Sequence, residues 1–161
     1  MRGQGETLIL ISTSGRPEGY AATLEAIGDR HMVMTMQDGG PPYAQGERVY
    51  FDKAGGKQMY WQRINAIWDR ARVTRASHVM HLPDDFTYAD GWLDAIEDAY
   101  TGNALNLHAC GRTKMWGIDR WVDGAFIAPW QWFAAIAWRI PQPLPQWFDD
   151  PSRGSGVWRY V

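Results

Sequence analysis

The chain opens on an unbroken run of apolar, largely β-branched positions, Thr7-Leu8-Ile9-Leu10-Ile11, closed by Ser12-Thr13-Ser14-Gly15. Continuous apolarity over so short a stretch marks a strand buried on both faces, and the polar stop reads as the loop that leaves it. The period then changes. Pro17 suits a first helical turn, Tyr20, Leu24 and Ile27 recur on one face, and Gly28 supplies a stop. A second buried strand is expected over 32–36, halted by Gln37-Asp38-Gly39-Gly40-Pro41-Pro42, and a short third one over 48–51. Strand, helix, strand in this order begins a parallel sheet.

After Gly55-Gly56 the spacing predicts a helix over 57–72, with Tyr60, Ile64, Ile67, Trp68 and Ala71 on its buried face and basic residues opposite. Residues 78–82 form the next strand, which runs directly into Pro83-Asp84-Asp85-Phe86. Asp90 is placed to cap a helix carrying Trp92, Leu93, Ile96 and Tyr100, ended by Gly102-Asn103. Another strand is expected over 105–109 and a short Trp-rich helix over 129–138, followed by the extended Ile140-Pro141-Gln142-Pro143-Leu144-Pro145. No repeat, long linker or boundary divides the pattern, so one domain is expected over 1–161.

Composition narrows the classes. A length of 161 residues suits one domain, and 45% hydrophobic with 21% charged residues is a folding composition. Sixteen Lys plus Arg against eighteen Asp plus Glu give a net charge of -2, which argues against a broadly basic nucleic-acid coat. Cys110 is the sole cysteine, so no intramolecular disulfide forms and a reducing compartment fits. The run 8–11 is too short for a signal-peptide core or a membrane span, and the expectation is a cytoplasmic protein of a bacterium, or of a host cell if phage-encoded. Seven of the ten tryptophans fall between Trp116 and Trp158, implying either an aromatic core or a surface that stacks on flat ligands such as sugar rings or bases.

Four constellations could carry chemistry. The strand 78–82 delivers the adjacent Asp84 and Asp85 to its C-terminal end, the edge where open α/β sheets bind ligands. Adjacent carboxylates repel, so either a cation such as Mg²⁺ or Mn²⁺ or backbone donors sit between them, or one caps a turn while the other faces water. The loop Thr13-Ser14-Gly15-Arg16-Pro17-Glu18 offers hydroxyls, a guanidinium and a helix N-terminus to an anion, or is an ordinary strand-helix turn. The helix face bearing Lys57, Arg63, Arg70, Arg72 and Arg75 is either solvated or basic toward a ligand, with Arg63 and Asn65 in the half that could reach a phosphate. Trp147-Phe148-Asp149-Asp150-Pro151 pairs acids with aromatics, suiting a general base beside a stacking platform, or else an N-cap. The four histidines show no paired metal spacing.

In this order the pieces resemble a nucleotide-sugar glycosyltransferase of the GT-A fold, similar to the family 2 type, over residues 7 to about 160. The matching segments are the Ser/Thr-rich stop with Arg16-Pro17-Glu18, Asp38 at the end of the second strand, Gly56-Lys57 with Arg63 and Asn65, Leu82-Pro83-Asp84-Asp85, Trp121-Val122-Asp123-Gly124-Ala125-Phe126, and Phe148-Asp149-Asp150. Pro83 stands where that family usually has the first acid of Asp-x-Asp, and the chain would be a minimal or shortened version. The resemblance implies a Rossmann-like, open, mostly parallel mixed sheet flanked by helices, with a nucleotide-sugar half over 7–86 and an acceptor half over 87–161.

It further implies metal-dependent transfer of a sugar from a nucleoside-diphosphate sugar, a UDP-sugar foremost, to a hydroxyl of a glycan, a small molecule or a modified DNA base. Thr13, Arg16, Asp38, Lys57, Arg63, Asn65 and Asp84 would bind the donor, Asp85 would hold Mn²⁺ or Mg²⁺, Asp149 or Asp150 would be the base, and Trp116, Trp121, Asp123 and Trp147 would face the acceptor. In the DNA case Arg70, Arg72 and Arg75 would touch phosphates. A non-catalytic carbohydrate- or nucleic-acid-binding module on the same scaffold and a nucleotidyltransferase are the alternatives. No membrane partner is expected.

Overall fold

Leu8, Ile9, Leu10 and Ile11 are fully buried, as an apolar run without alternation requires. In the computed structural model, which describes residues 6–103, 105–107, 112–115, 118–121, 125–135 and 137–138, they lie on β1 (Thr7–Thr13), inside a sheet with neighbours on both sides. Strand β2 (Met32–Asp38) runs parallel to β1 on one side, with Leu10 opposite Met34, and β3 (Glu47–Phe51) extends the sheet beyond it, again parallel. On the other side β4 (His78–Pro83) is parallel to β1, with Leu10 opposite His81.

Helix α1 (Pro17–Ile27) links β1 to β2, and α2 (Gly56–Arg72) links β3 back across the sheet to β4. The two crossovers travel in opposite directions, and a single crossover hand then places them on opposite faces. Accordingly, Ile9, Ile11, Met80 and Leu82 pack under α1 and under α3 (Trp92–Ala99), while Leu8, Leu10, Met34, Met36 and Val79 pack under α2. The buried stripe of α2 holds Ile64, Ile67, Trp68 and Ala71, as its spacing predicts, while the Tyr60 side chain expected on the same face lies outside the described residues. Gly28 stops α1 with φ 64, where its N–H reaches Leu24 O.

The described residues form one α/β domain with a mostly parallel mixed sheet flanked by helices. The sheet is completed by β5 (Leu105–Asn106) and β8 (Phe126–Pro129), both paired antiparallel, in the order β3-β2-β1-β4-β8-β5. A separate antiparallel pair consists of β6 (Arg112–Met115) and β7 (Ile118–Trp121).

Several boundaries differ from expectation. β2 does not halt at Met36 but runs through Gln37 and Asp38, because both find partners on β3, opposite Tyr50 and Phe51. The helix after Asp90 has its N-cap at Gly91, not at Asp90, with φ 71 and no side-chain cap, a left-handed conformation that glycine adopts without strain. The Trp-rich helix is α4 (Trp130–Ala135), and Pro129 belongs instead to β8. Four residues are too few to display a period, so this strand had no sequence signature of its own. Residues 108–109 of the expected strand, and the extended segment 140–145, lie outside the described residues.

Aromatic packing on the α2 face favours the core reading for part of the tryptophan cluster. Trp68 meets Phe133 edge-on at 5.3 Å, Phe133 stacks on Trp138 at 4.7 Å, and both indoles are buried. His81 joins this face edge-on to Phe126 at 5.7 Å, with Nε2 lacking a hydrogen-bond partner among the described residues. Burial lowers its pKa to about 4.

The unfolded chain therefore takes up a proton at His81 below about pH 6.5, whereas the folded chain does so only near pH 4. Native stability is expected to fall as pH drops across that window, by roughly 1 kcal/mol per pH unit from this group. Urea unfolding at several pH values should show a shallower pH dependence for His81→Leu than for the wild type.

Candidate functional site

Buried polar side chains gather where β1, β2 and β4 end: Thr13, Asp38 and Asp84 are all buried at that edge. The strand order reverses there, with β2 and β3 laid to one side of β1 and β4 to the other, which is the position where α/β sheets receive ligands.

The first cluster centres on Asp84. Its side chain has 0% exposure, Oδ2 accepts a 2.5 Å hydrogen bond from Thr13 Oγ1, and Oδ1 lies 2.9 Å from Arg16 Nη2, an ion contact without hydrogen-bond alignment. Arg16 Nη1 donates to Asp85 Oδ2 at 3.0 Å, and there the side chains are 50% and 52% exposed. One guanidinium thus spans an inward and an outward carboxylate. A carboxylate only accepts, so the Thr13 hydroxyl proton points at Asp84. Thr13 Oγ1 then accepts from Tyr43 Oη at 2.7 Å, and Tyr43 Oη accepts from Arg16 N–H at 3.2 Å.

The second cluster centres on Asp38. Both its carboxylate oxygens accept from Gly55 N–H at 3.0 Å, and Oδ1 also accepts from Arg63 Nε at 2.8 Å. The Arg63 guanidinium lies 3.8 Å over the Phe51 ring and donates to Lys53 O. Asp38 therefore places its charge at the start of α2, where the helix dipole favours an anion. Ser14 Oγ donates to Asp38 O at 2.9 Å and joins the two clusters.

The structure thus brings Thr13, Arg16, Asp84 and Asp85 into one contact set and Asp38 with Arg63 into another. Asn65 is buried in α2 and offers little surface to a ligand. The side chains of Lys57 and Trp121, and all of Trp116, Asp123, Trp147, Asp149 and Asp150, lie outside the described residues. Arg70 pairs with Glu47 at the start of β3, and Arg72, the last residue of α2, and Arg75, three residues beyond it, are exposed. That basic end is separated from the acid pair by the length of α2, whose 17 residues span about 25 Å.

Two further residues shape the edge without a signal of their own in the sequence. Gln37, fully buried, donates to Gly39 O at 3.0 Å and Pro41 O at 2.8 Å and accepts from Tyr43 N and Ala44 N at 3.0 Å, so one amide folds the loop that carries Tyr43. A lone Gln ahead of Gly39-Gly40-Pro41-Pro42 is the only hint, since that loop's prolines supply carbonyls without N–H groups. Nearby, burial pushes the Tyr88 phenol up to about 12; hydrogen bonding with Thr23 opposes the shift and the charges of Asp85 and Asp84 add to it.

No group of three His, Cys, Asp or Glu side chains converges to hold a metal among the described residues. Magnesium-type sites commonly use one or two carboxylates completed by substrate phosphates, and the half-exposed Asp85 fits that donor set; Asp84, buried against Thr13 and Arg16, does not.

No protein-family model and no curated protein sequence gives a significant match to this chain.

Gly19, on the first turn of α1, sets how closely the helix approaches the acid pair: a Cβ there would lie 2.2 Å from Asp84 O. Gly to Ala inside a helix ordinarily stabilises by about 1 kcal/mol. Gly19→Ala is expected to do the opposite and lower the melting temperature, whereas Gly→Ala on an open helix face would raise it; differential scanning calorimetry checks the sign.

Proposed function

We propose that the chain is a glycosyltransferase that binds a nucleoside-diphosphate sugar at the C-terminal edge of β1 and β4 and passes the sugar to an acceptor hydroxyl. The observation that carries this reading is the single contact set made by Thr13, Arg16, Asp84 and Asp85, drawn from segments about seventy residues apart in sequence. It supplies an anion-seeking guanidinium beside an uncapped helix N-terminus, and a carboxylate open to solvent, at the rim suited to a diphosphate. The fold class agrees with the GT-A resemblance, which remains the source of the finer assignment.

Cleavage of a sugar nucleotide builds negative charge on the diphosphate while the sugar becomes oxocarbenium-like. A divalent ion, Mn²⁺ or Mg²⁺, held at Asp85 and by phosphate oxygens would supply neutralisation of that charge. Arg16 stabilises the same charge from the chain's own side. Thr13 and Tyr43 hold Asp84 and the Arg16 backbone in place, so the arginine is anchored at this edge before the donor arrives. Asp38, fixed by Gly55 and Arg63, faces the nucleobase in the reading that the resemblance gives. By the same resemblance Asp149 or Asp150 takes the acceptor proton, and Trp116, Trp121, Asp123 and Trp147 line the acceptor side.

Among acceptors, a modified DNA base gains no support from Arg70, Arg72 and Arg75, which lie at the far end of α2 from the acid pair. A glycan or small molecule needs no such reach.

The test is a thermal-shift panel of nucleoside diphosphates and their sugars, with and without Mn²⁺. A cognate ligand at a hundred times its Kd adds about 2.7 kcal/mol, a rise of several degrees for a domain of this size. UDP and a UDP-sugar are expected to give that rise, and Asp85→Ala to remove its Mn²⁺-dependent part together with sugar transfer. A panel in which no nucleotide moves the melt, with or without the ion, overturns the proposal.

A further inference from the structure

Arg16 makes two contacts of unequal character. Toward Asp84 it meets a carboxylate with no solvent exposure, already bonded to Thr13; toward Asp85 it meets one that is 52% exposed. Breaking the first contact would strand a buried charge, whereas the second is screened by water and contributes little to stability. The backbone beneath is held, since Arg16 N–H donates to Tyr43 Oη and Arg16 O accepts from Tyr20 N at the start of α1. The side chain can therefore leave Asp85 while its own backbone and Asp84 stay in place.

Asp85 is also the carboxylate that fits a divalent ion. An ion bound to its Oδ2 would stand within a few ångströms of the guanidinium nitrogen already 3.0 Å from that oxygen, and two cations so placed repel. A planar guanidinium, in turn, binds phosphate oxygens through two parallel N–H groups.

We infer that Arg16 is an exchangeable internal cation: in the free chain it occupies Asp85 in place of a divalent ion, and a nucleoside diphosphate draws it onto its phosphates and opens Asp85 to the ion. The inference rests on reading this edge as the diphosphate site. It makes Arg16 a competitor of the metal when nucleotide is absent and its partner when nucleotide is present. The coupling arises from one side chain with two alternative anionic partners and requires no movement of the fold.

Isothermal titration calorimetry on the full chain tests it in separate arms, with Mn²⁺ alone and with UDP alone in EDTA. Arg16→Gln is expected to bind Mn²⁺ alone at least 5-fold more tightly than wild type and UDP alone at least 10-fold more weakly. Asp85→Asn is expected to lose Mn²⁺ binding yet take UDP in EDTA more tightly than wild type, because the guanidinium is no longer held back. Arg16→Lys keeps a charge against Asp84 but cannot span both carboxylates, and tighter Mn²⁺ binding by this variant carries the same support should Arg16→Gln melt too low to titrate.

Mn²⁺ affinity that is unchanged or weaker in both Arg16 variants overturns the exchange. Wild type that binds Mn²⁺ but not UDP, with or without the ion, overturns the diphosphate reading of the edge instead, and the two failures are distinguished by which titration is flat.

Discussion

A carboxylate with none of its side chain open to water sits between the ends of two core strands, and the local geometry is organised around its charge. An ionised Asp84 in that position requires a hydrogen bond and a counter-charge from close at hand. Thr13 supplies the first from the end of β1 and Arg16 the second from the start of α1. Both lie on the continuous stretch that leaves β1, so the parallel pairing of β1 with β4, in which Ser12 stands opposite Pro83, is what delivers them to Asp84. The close approach of Gly19 to the Asp84 carbonyl belongs to the same arrangement: the helix can start beside the acid only where no side chain intervenes.

Asp38 resolves a comparable problem differently. Its carboxylate is met by Gly55 N–H and by Arg63, so the negative charge doubles as a substitute cap for α2, which lacks a side-chain cap of its own. The two acids at one sheet edge are therefore not equivalent. Asp38 fixes the beginning of a helix, Asp84 fixes the beginning of another through Arg16, and only Asp85 presents substantial carboxylate surface to solvent. The edge holds three acids and two guanidinium groups: Arg63 is committed to Asp38, and Arg16 lies between Asp84 and Asp85.

Much of the framework was legible in the residue pattern because it rests on local periodicity. The unbroken run at Leu8 to Ile11 required a doubly covered strand, the spacing of Ile64, Ile67, Trp68 and Ala71 required a helix facing the sheet, and the strand running into Asp84-Asp85 put acids at its C-terminal end. What escaped depends on partners distant in sequence. β8 exists because residues 126–129 find His78 to His81 across the sheet, and nothing within four residues announces it. Gln37 organises Tyr43 through the backbone of a loop, and Tyr43 reaches Thr13 thirty residues earlier. A polar residue at the end of a buried strand resembles a strand stop until the carbonyls it satisfies are seen.

For the adjacent Asp84 and Asp85 the sequence admits a cation or backbone donors between the carboxylates, or one acid capping a turn while the other faces water; the fold shows a side-chain cation between them and Asp85 half-exposed, with Asp84 bonded to Thr13 and Arg16. Leaving β4, consecutive side chains diverge, one into the edge and one to solvent, and the cation between them belongs to the chain itself. An internal cation differs from a bound ion in one respect that matters for chemistry: it is tethered, so an incoming anion can redirect it but cannot carry it away. A lysine in its place would neutralise one acid at a time, whereas the fork of a guanidinium reaches both, which is the physical reason for an arginine at position 16. Pro83 fits the same logic. Lacking an N–H, it ends the β4 ladder one residue before the buried acid, and the backbone is free to turn where the two carboxylates must part.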